Sequence, residues 1–223
     1  MNGKVKFAQK AEDVSIDVSA DVSIHGNLSI IEGSTGIVIF AHGSSSKRFN
    51  PRNCFICEEF NAAGLSTLMI DLLTEEEELL DMQTGELRFD IELLTARVIA
   101  SSKWVMDNRL TTDMKIGYFG AGTGAAATLT AAGHIGNRIK TIVTCAGRCD
   151  LAEPEFTTIK SSVLFIAGQK DTFITSITQN AMSDLRCDKK FVIIEGAGHL
   201  FEEPGAIEEV SEVASMWFDG KLS

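Results

Sequence analysis

The 223-residue sequence contains no apolar run approaching the roughly 20 residues that a membrane-spanning helix needs. It also opens without a signal peptide, since polar and apolar residues alternate from Lys4 onward. Membrane insertion and export are therefore not expected, and a cytoplasmic location is. Basic residues are in the minority, 20 against 31 acidic, for a formal net charge of −11. Phosphate backbones would be repelled, so nucleic acid is not an expected partner. A disulfide framework is missing as well: Cys54, Cys57, Cys145, Cys149 and Cys187 are odd in number, which points to free thiols. Cys54-x-x-Cys57 has the spacing of a redox pair or half a zinc site. No second such pair and no nearby pair of histidines accompanies it, and it falls inside an expected helix. Buried small hydrophobes are the simpler reading.

What is present is ample apolar material, 44% of the residues, enough for one α/β domain spanning residues 1–223. Residues 14–31 alternate with the two-residue period of strands around a turn near Ala20-Asp21, which predicts an antiparallel hairpin. From Gly36 the rhythm becomes strand, loop, helix. Ile37–Ala41 reads as a strand covered on both faces, followed by a polar loop over His42–Phe49. Asn50-Pro51 gives a helix cap and a first-turn proline, and Gly64 a stop. Ser66–Asp71 is the next strand. Leu72–Leu87, with its run of four glutamates at 75–78, reads as an irregular acidic connection, a solvated face or a cover over a pocket. A helix over Phe89–Asp107 follows. Further strands are expected at Lys115–Phe119, Ile139–Cys145, Val163–Ala167 and Phe191–Ile194, and further helices to about Ala132, near Thr175–Leu185 and over Pro204–Phe218. The whole predicts about eight strands in a mostly parallel sheet with an antiparallel N-terminal edge and helices on both faces.

One stretch stands out by an absence of its own. Gly120-Ala121-Gly122-Thr123-Gly124, after the Lys115–Phe119 strand, has the glycine frame of a nucleophile elbow, G-x-S-x-G, with glycine where the serine should be. Gly122 offers no oxygen to attack a carbonyl. A dinucleotide-binding loop is the rival, because Ala125 can close a G-x-G-x-x-A pattern. That pattern wants an acidic residue about 20 positions on, and none stands there. Two other strand ends complete an acyl-transfer set. Asp171 follows Val163–Ala167 and His199 follows Phe191–Ile194, in the order nucleophile position, acid, histidine. His42-Gly43-Ser44 follows Ile37–Ala41, so the amides of Ser44 and Thr123 are the expected oxyanion donors. His42 is read as shaping that loop, His25 and His134 as structural, and Phe49, Phe173 and Phe201 as flanking the mouth. Cys145 is a candidate thiol.

With these residues in view, the chain resembles the dienelactone-hydrolase-like branch of the α/β-hydrolases. The matching pieces are His42-Gly43-Ser44-Ser45-Ser46, Asp71-Leu72-Leu73-Thr74, Arg88-Phe89-Asp90-Ile91, Gly117-Tyr118-Phe119-Gly120-Ala121, Thr123-Gly124-Ala125-Ala126-Ala127 and His199-Leu200-Phe201-Glu202-Glu203-Pro204-Gly205. The resemblance implies hydrolysis of a small ester or lactone without metal or organic cofactor, with Asp171 and His199 as acid and base. Gly122 departs from the family's Gly-Ala-Ser-Thr-Gly. The expected activity is therefore absent or strongly reduced. The alternative is a non-catalytic protein that binds a small ester, lactone or carboxylate in the same pocket.

Overall fold

Gly36–Ala41, buried at every residue, forms β3 near the middle of an eight-stranded sheet. The computed structural model describes residues 11–43, 48–152 and 156–223. The other strands are β1 (Glu12–Asp17), β2 (Ser23–Ser29), β4 (Ser66–Ile70), β5 (Lys115–Ala121), β6 (Ile139–Cys145), β7 (Ser162–Gly168) and β8 (Lys189–Ile194). Their order across the sheet is β1-β2-β4-β3-β5-β6-β7-β8. β1 and β2 pair antiparallel as the expected hairpin, and β2 also meets β4 antiparallel. Every other pairing is parallel.

Burial follows from this order. β3, β4 and β7 are buried throughout, as strands covered on both faces must be. β1 and β8 lie at the edges, β1 largely exposed and β8 largely half-buried.

The helices are α1 (Pro51–Ala62), α2 (Glu75–Thr84), α3 (Ile91–Asp107), α4 (Thr123–Ile135), α5 (Thr172–Asp184) and α6 (Ala206–Leu222). Successive strand residues point to opposite faces, so β3 divides its side chains between two cores. Ile37, Ile39 and Ala41 pack with Leu94 and Val98 of α3 and Ala126 and Leu129 of α4. Val38 and Phe40 pack with Phe60 of α1 and Val210 and Phe218 of α6. On this second face Phe119 stacks on Phe40 with centroids 4.6 Å apart and meets Phe60 edge-on at 5.5 Å. α1 starts as expected: the Asn50 side chain accepts from the Arg52 N–H, and Pro51 is the first helical residue. Among the described residues no helix is long and apolar enough to cross a membrane.

The acidic segment corrects the sequence reading. Residues 75–84 are helical rather than irregular. Thr74 accepts from the Glu77 N–H at 3.2 Å, and Glu77 accepts from the Thr74 N–H at 2.8 Å, a reciprocal capping box. Four glutamates in the first turn also suit the positive end of the helix dipole. Gly85, at φ +68°, ends the helix in the left-handed conformation. Glu77 further pairs with Arg97 of α3 at 2.7 Å, which ties the segment to the core. The five cysteines are free, and Cys57 is buried in α1 with its thiol raised by burial, in keeping with a packing role.

Phe119 joins two aromatic partners, Phe40 and Phe60, through one side chain, so Phe119→Ala should cost about 3–5 kcal/mol of folding stability. Urea denaturation measures it, and a loss under about 1 kcal/mol would contradict the packing described.

Candidate active site

In open parallel sheets, ligands bind beyond the carboxyl ends of the strands, and three of those ends supply the candidate residues. β5 ends at Ala121, and α4 begins at Thr123. Gly122 alone makes the turn, at φ +56° and ψ −125°. A side-chain-bearing residue adopts such a backbone only under strain. The turn is pinned on both sides: the Gly122 N–H donates to the Cys145 carbonyl at 3.3 Å, and its own carbonyl accepts from the Arg148 N–H at 2.9 Å.

Crowding explains the flanking glycines. A Cβ on Gly120 would lie 2.4 Å from Thr128 Oγ1 and 2.6 Å from Ala125 Cα. One on Gly124 would lie 2.3 Å from the Ala41 carbonyl oxygen. At Gly122 a Cβ would meet only Gly43 Cα, at 3.6 Å. The frame therefore requires glycine at its two flanks, whereas its apex has room for a side chain.

Asp171 and His199 come together from the ends of β7 and β8. Asp171 caps α5, with Oδ1 accepting from the Ile174 N–H at 3.2 Å. Its Oδ2 lies 2.5 Å from His199 Nδ1. The Asp171 side chain is 11% exposed and that of His199 52%, so the carboxylate is sheltered while the imidazole faces the solvent side. With Nδ1–H donated to Asp171, His199 Nε2 is left as an acceptor.

Glu203, which carried no role in the sequence reading, ties the two loops together. Its carboxylate oxygens accept from the Gly198 N–H at 3.1 and 3.0 Å, and it pairs with Lys170 Nζ at 3.0 Å. Those contacts, the Gly198 amide first and Lys170 second, hold its carboxyl down to about 2. Gln169 adds a bond from the Gly196 N–H to its side-chain oxygen at 2.8 Å. The residues that flank Asp171 and His199 are thus bonded to each other.

Two spaces share Gly122, Gly43 and His199 in their walls. A groove of about 310 Å³ adds Arg88, Phe89, Arg148 and Phe173. A smaller space of about 90 Å³ adds Ile56, Phe119, Cys145 and Phe201. Larger cavities of about 460 and 590 Å³ line α3 and contain none of the candidate residues. Of the three phenylalanines expected at the mouth, Phe173 lines the groove beneath the Arg148 guanidinium, 5.5 Å from its ring centre. Phe201 is instead buried, and Phe49 is exposed outside both spaces.

Thr123 opens α4, where first-turn N–H groups point out of the helix. Ser44 lies outside the described residues. His42 is buried, with Nδ1 3.0 Å from the Gly43 carbonyl oxygen and Nε2 3.6 Å from Asp71 Oδ1. His25 and His134 are exposed and line neither space. Burial pushes the Cys145 thiol up to about 12, so it is almost wholly protonated near neutral pH. Among the described residues no three His, Cys, Asp or Glu side chains converge as a metal set would.

Comparison with known proteins follows the same lines. The Dienelactone hydrolase family matches residues 35–218. The crystal structure of a dienelactone hydrolase from Anabaena variabilis is 44% identical and superposes with a TM-score of 0.92, over 96% of this chain and 99% of that one. Est1E from Butyrivibrio proteoclasticus, 13% identical with a TM-score of 0.76 over 92% and 97%, shares the fold. Two Mycobacterium tuberculosis proteins whose names propose a phosphoribosyl transferase are 38% identical over 207 residues, 93% of this chain and 46% of theirs. The chain thus spans about half the length of the curated relatives it matches.

The Glu203 tie has a pH signature. Its carboxyl lies below the ordinary value of 4.5, so its contribution is complete above that value and is lost as pH falls through about 2. The Gly198 amide resonance should titrate with a midpoint near 2 and lose that step in Glu203→Gln. A midpoint at 4.5 would refute the tie.

Proposed function

We propose a function that starts from one fact: the chain belongs to the dienelactone hydrolase family and has its α/β-hydrolase fold. The site is laid out for hydrolysis of a small carboxylic ester or lactone, with His199 as the base and Asp171 as the carboxylate that orients it. The amides of Thr123 and Ser44 are assigned as oxyanion donors. Gly122 occupies the nucleophile position, so this chain hydrolyses esters slowly or not at all compared with a serine-bearing version.

The observation that carries the reading is the 2.5 Å pair of His199 and Asp171 sharing two spaces with Gly122, whose backbone makes a sharp left-handed turn from strand to helix. That pair orients an imidazole to accept a proton. The flanking glycines support it, because their crowding is what a strand-to-helix elbow requires. No metal or organic cofactor, nucleic acid or membrane enters this reading, and the acidic chain fits a cytoplasmic protein.

A second reading makes the chain a binding protein for a small ester, lactone or carboxylate. The absence of a side chain at Gly122 favours it, as does a groove that offers apolar rings beside guanidinium groups. The transferase named for the mycobacterial proteins is not carried over, because a histidine–carboxylate pair at an elbow is acyl-transfer chemistry.

Losing a triad nucleophile costs on the order of 10⁶ in turnover, so Gly122→Ser should raise hydrolysis of an aryl ester by about three decades or more. Steady-state kcat/KM of the two proteins checks it. A Gly122→Ser variant that folds and stays as slow as its parent defeats the elbow assignment. A ligand that raises Tm of the parent without being consumed favours the binding reading.

A further inference from the structure

We infer that Gly122 makes this a general-base site that works without an acyl-enzyme, in which His199 activates a water seated where a serine hydroxyl would stand. The inference rests on the elbow assignment above and deepens it. Three observations lead to it.

First, the apex of the turn is open. The flanking glycines lie against backbone and side-chain atoms within 3 Å of any added Cβ, whereas at Gly122 the nearest atom is Gly43 Cα at 3.6 Å. Neighbours have not closed over the position. The missing serine CH₂OH therefore corresponds to a seat about the size of one water, whose share of liquid volume is about 30 Å³. Second, that seat is polar and reachable. The 310 Å³ groove runs from the surface to Gly122 and His199, and His199 Nε2 is an acceptor because Nδ1 is engaged by Asp171. The first-turn amides of α4 supply donors on the other side. Third, the rival nucleophile is disarmed. Cys145 lines the smaller space, but burial holds its thiol at about 12. A thiol in that state attacks poorly, since the thiolate is the reactive form.

The step balances without any co-reactant. Water oxygen bonds to the ester carbonyl carbon as one of its protons passes to His199 Nε2, and the C=O electron pair moves onto oxygen, held by the Thr123 amide. The intermediate collapses by breaking the carbon–oxygen bond to the alcohol, and His199 returns the proton to the departing alkoxide. Carboxylic acid and alcohol leave, the acid loses its proton to solvent, and no residue of the chain is ever acylated. The Asp171 carboxylate stays ionised and stabilises the imidazolium between the two transfers.

The test compares the parent chain with Gly122→Ala, Gly122→Ser and His199→Ala, using 4-nitrophenyl acetate, with circular dichroism and Tm to confirm folding. The parent should hydrolyse the ester above buffer, with no burst and no acyl adduct by intact mass. Gly122→Ala, whose methyl fills the seat, should lower that rate about tenfold or more, the cost of displacing a positioned nucleophile. His199→Ala should bring it to the buffer rate. Gly122→Ser should be faster than the parent and show a burst of one product per chain, which also proves that the turn accepts a Cβ. A parent rate equal to that of His199→Ala, an acyl adduct on the parent, or equal rates in the parent and Gly122→Ala would each overturn the inference. If Gly122→Ser gains its burst while Gly122→Ala matches the parent, the elbow assignment stands and only the water falls. If Gly122→Ser stays inert while folded, the elbow assignment falls with it.

Discussion

The close approach of the first turn of α4 to the end of β3 is the constraint on which the site depends. Gly124 lies so near the Ala41 carbonyl that any side chain there would strike it. Gly120 is equally confined by Thr128 and Ala125. With both flanks held, β5 can enter α4 only through the single residue between them, and that residue must turn with positive φ. The turn thereby presents its apex at the mouth shared by the groove and the smaller space, while the apolar face of α4 stays packed against the sheet. Position and conformation of Gly122 are consequences of packing rather than of Gly122 itself.

Charge is distributed in support of that geometry. Asp171 serves two neighbours, capping α5 with one oxygen and holding His199 with the other, so the helix that follows β7 orients the carboxylate. Glu203 stabilises the same arrangement from outside by joining the His199 loop to Lys170. Nearer the groove, Arg88 is held by the buried Asp81, and Arg148 by Asp150 through two bonds of 2.8 Å. The acidic helix α2 thus has a structural consequence. Its buried aspartate fixes the arginine that, with Phe89, forms one wall of the groove.

Much of the architecture could be read from local pattern. Continuous apolar runs at Ile37–Ala41 and Val163–Ala167 marked strands buried on both faces, and alternation over residues 14–31 marked the hairpin at the edge. Asn50-Pro51 located a helix start to the residue. The acidic segment is helical against expectation although its signal is local. Thr74 and Glu77 stand at capping-box spacing, but the run of like charges reads as an irregular connection, a solvated face or a cover over a pocket, and hides that signal. Asp171 and His199 were legible as loop residues at strand ends, and the structure brings them within hydrogen-bond distance. Glu203 and Arg88 lay within segments that resembled the family yet had no role assigned. Arg148 had no signal at all, since its place depends on how the loop after β6 meets α5.

The sequence by itself determined which segments are strands and helices, where the glycine frame falls, and which residue types stand at the strand ends. Each of these is settled by neighbours a few positions away, through apolar period, capping and steric exclusion. Only the tertiary structure decided that β4 lies between β2 and β3, that Asp171 and His199, 28 positions apart, meet in one hydrogen bond, and that Glu203 reaches across to Lys170. Such contacts come from the packing of two helical layers on one sheet, a sum over the whole chain that no local window contains.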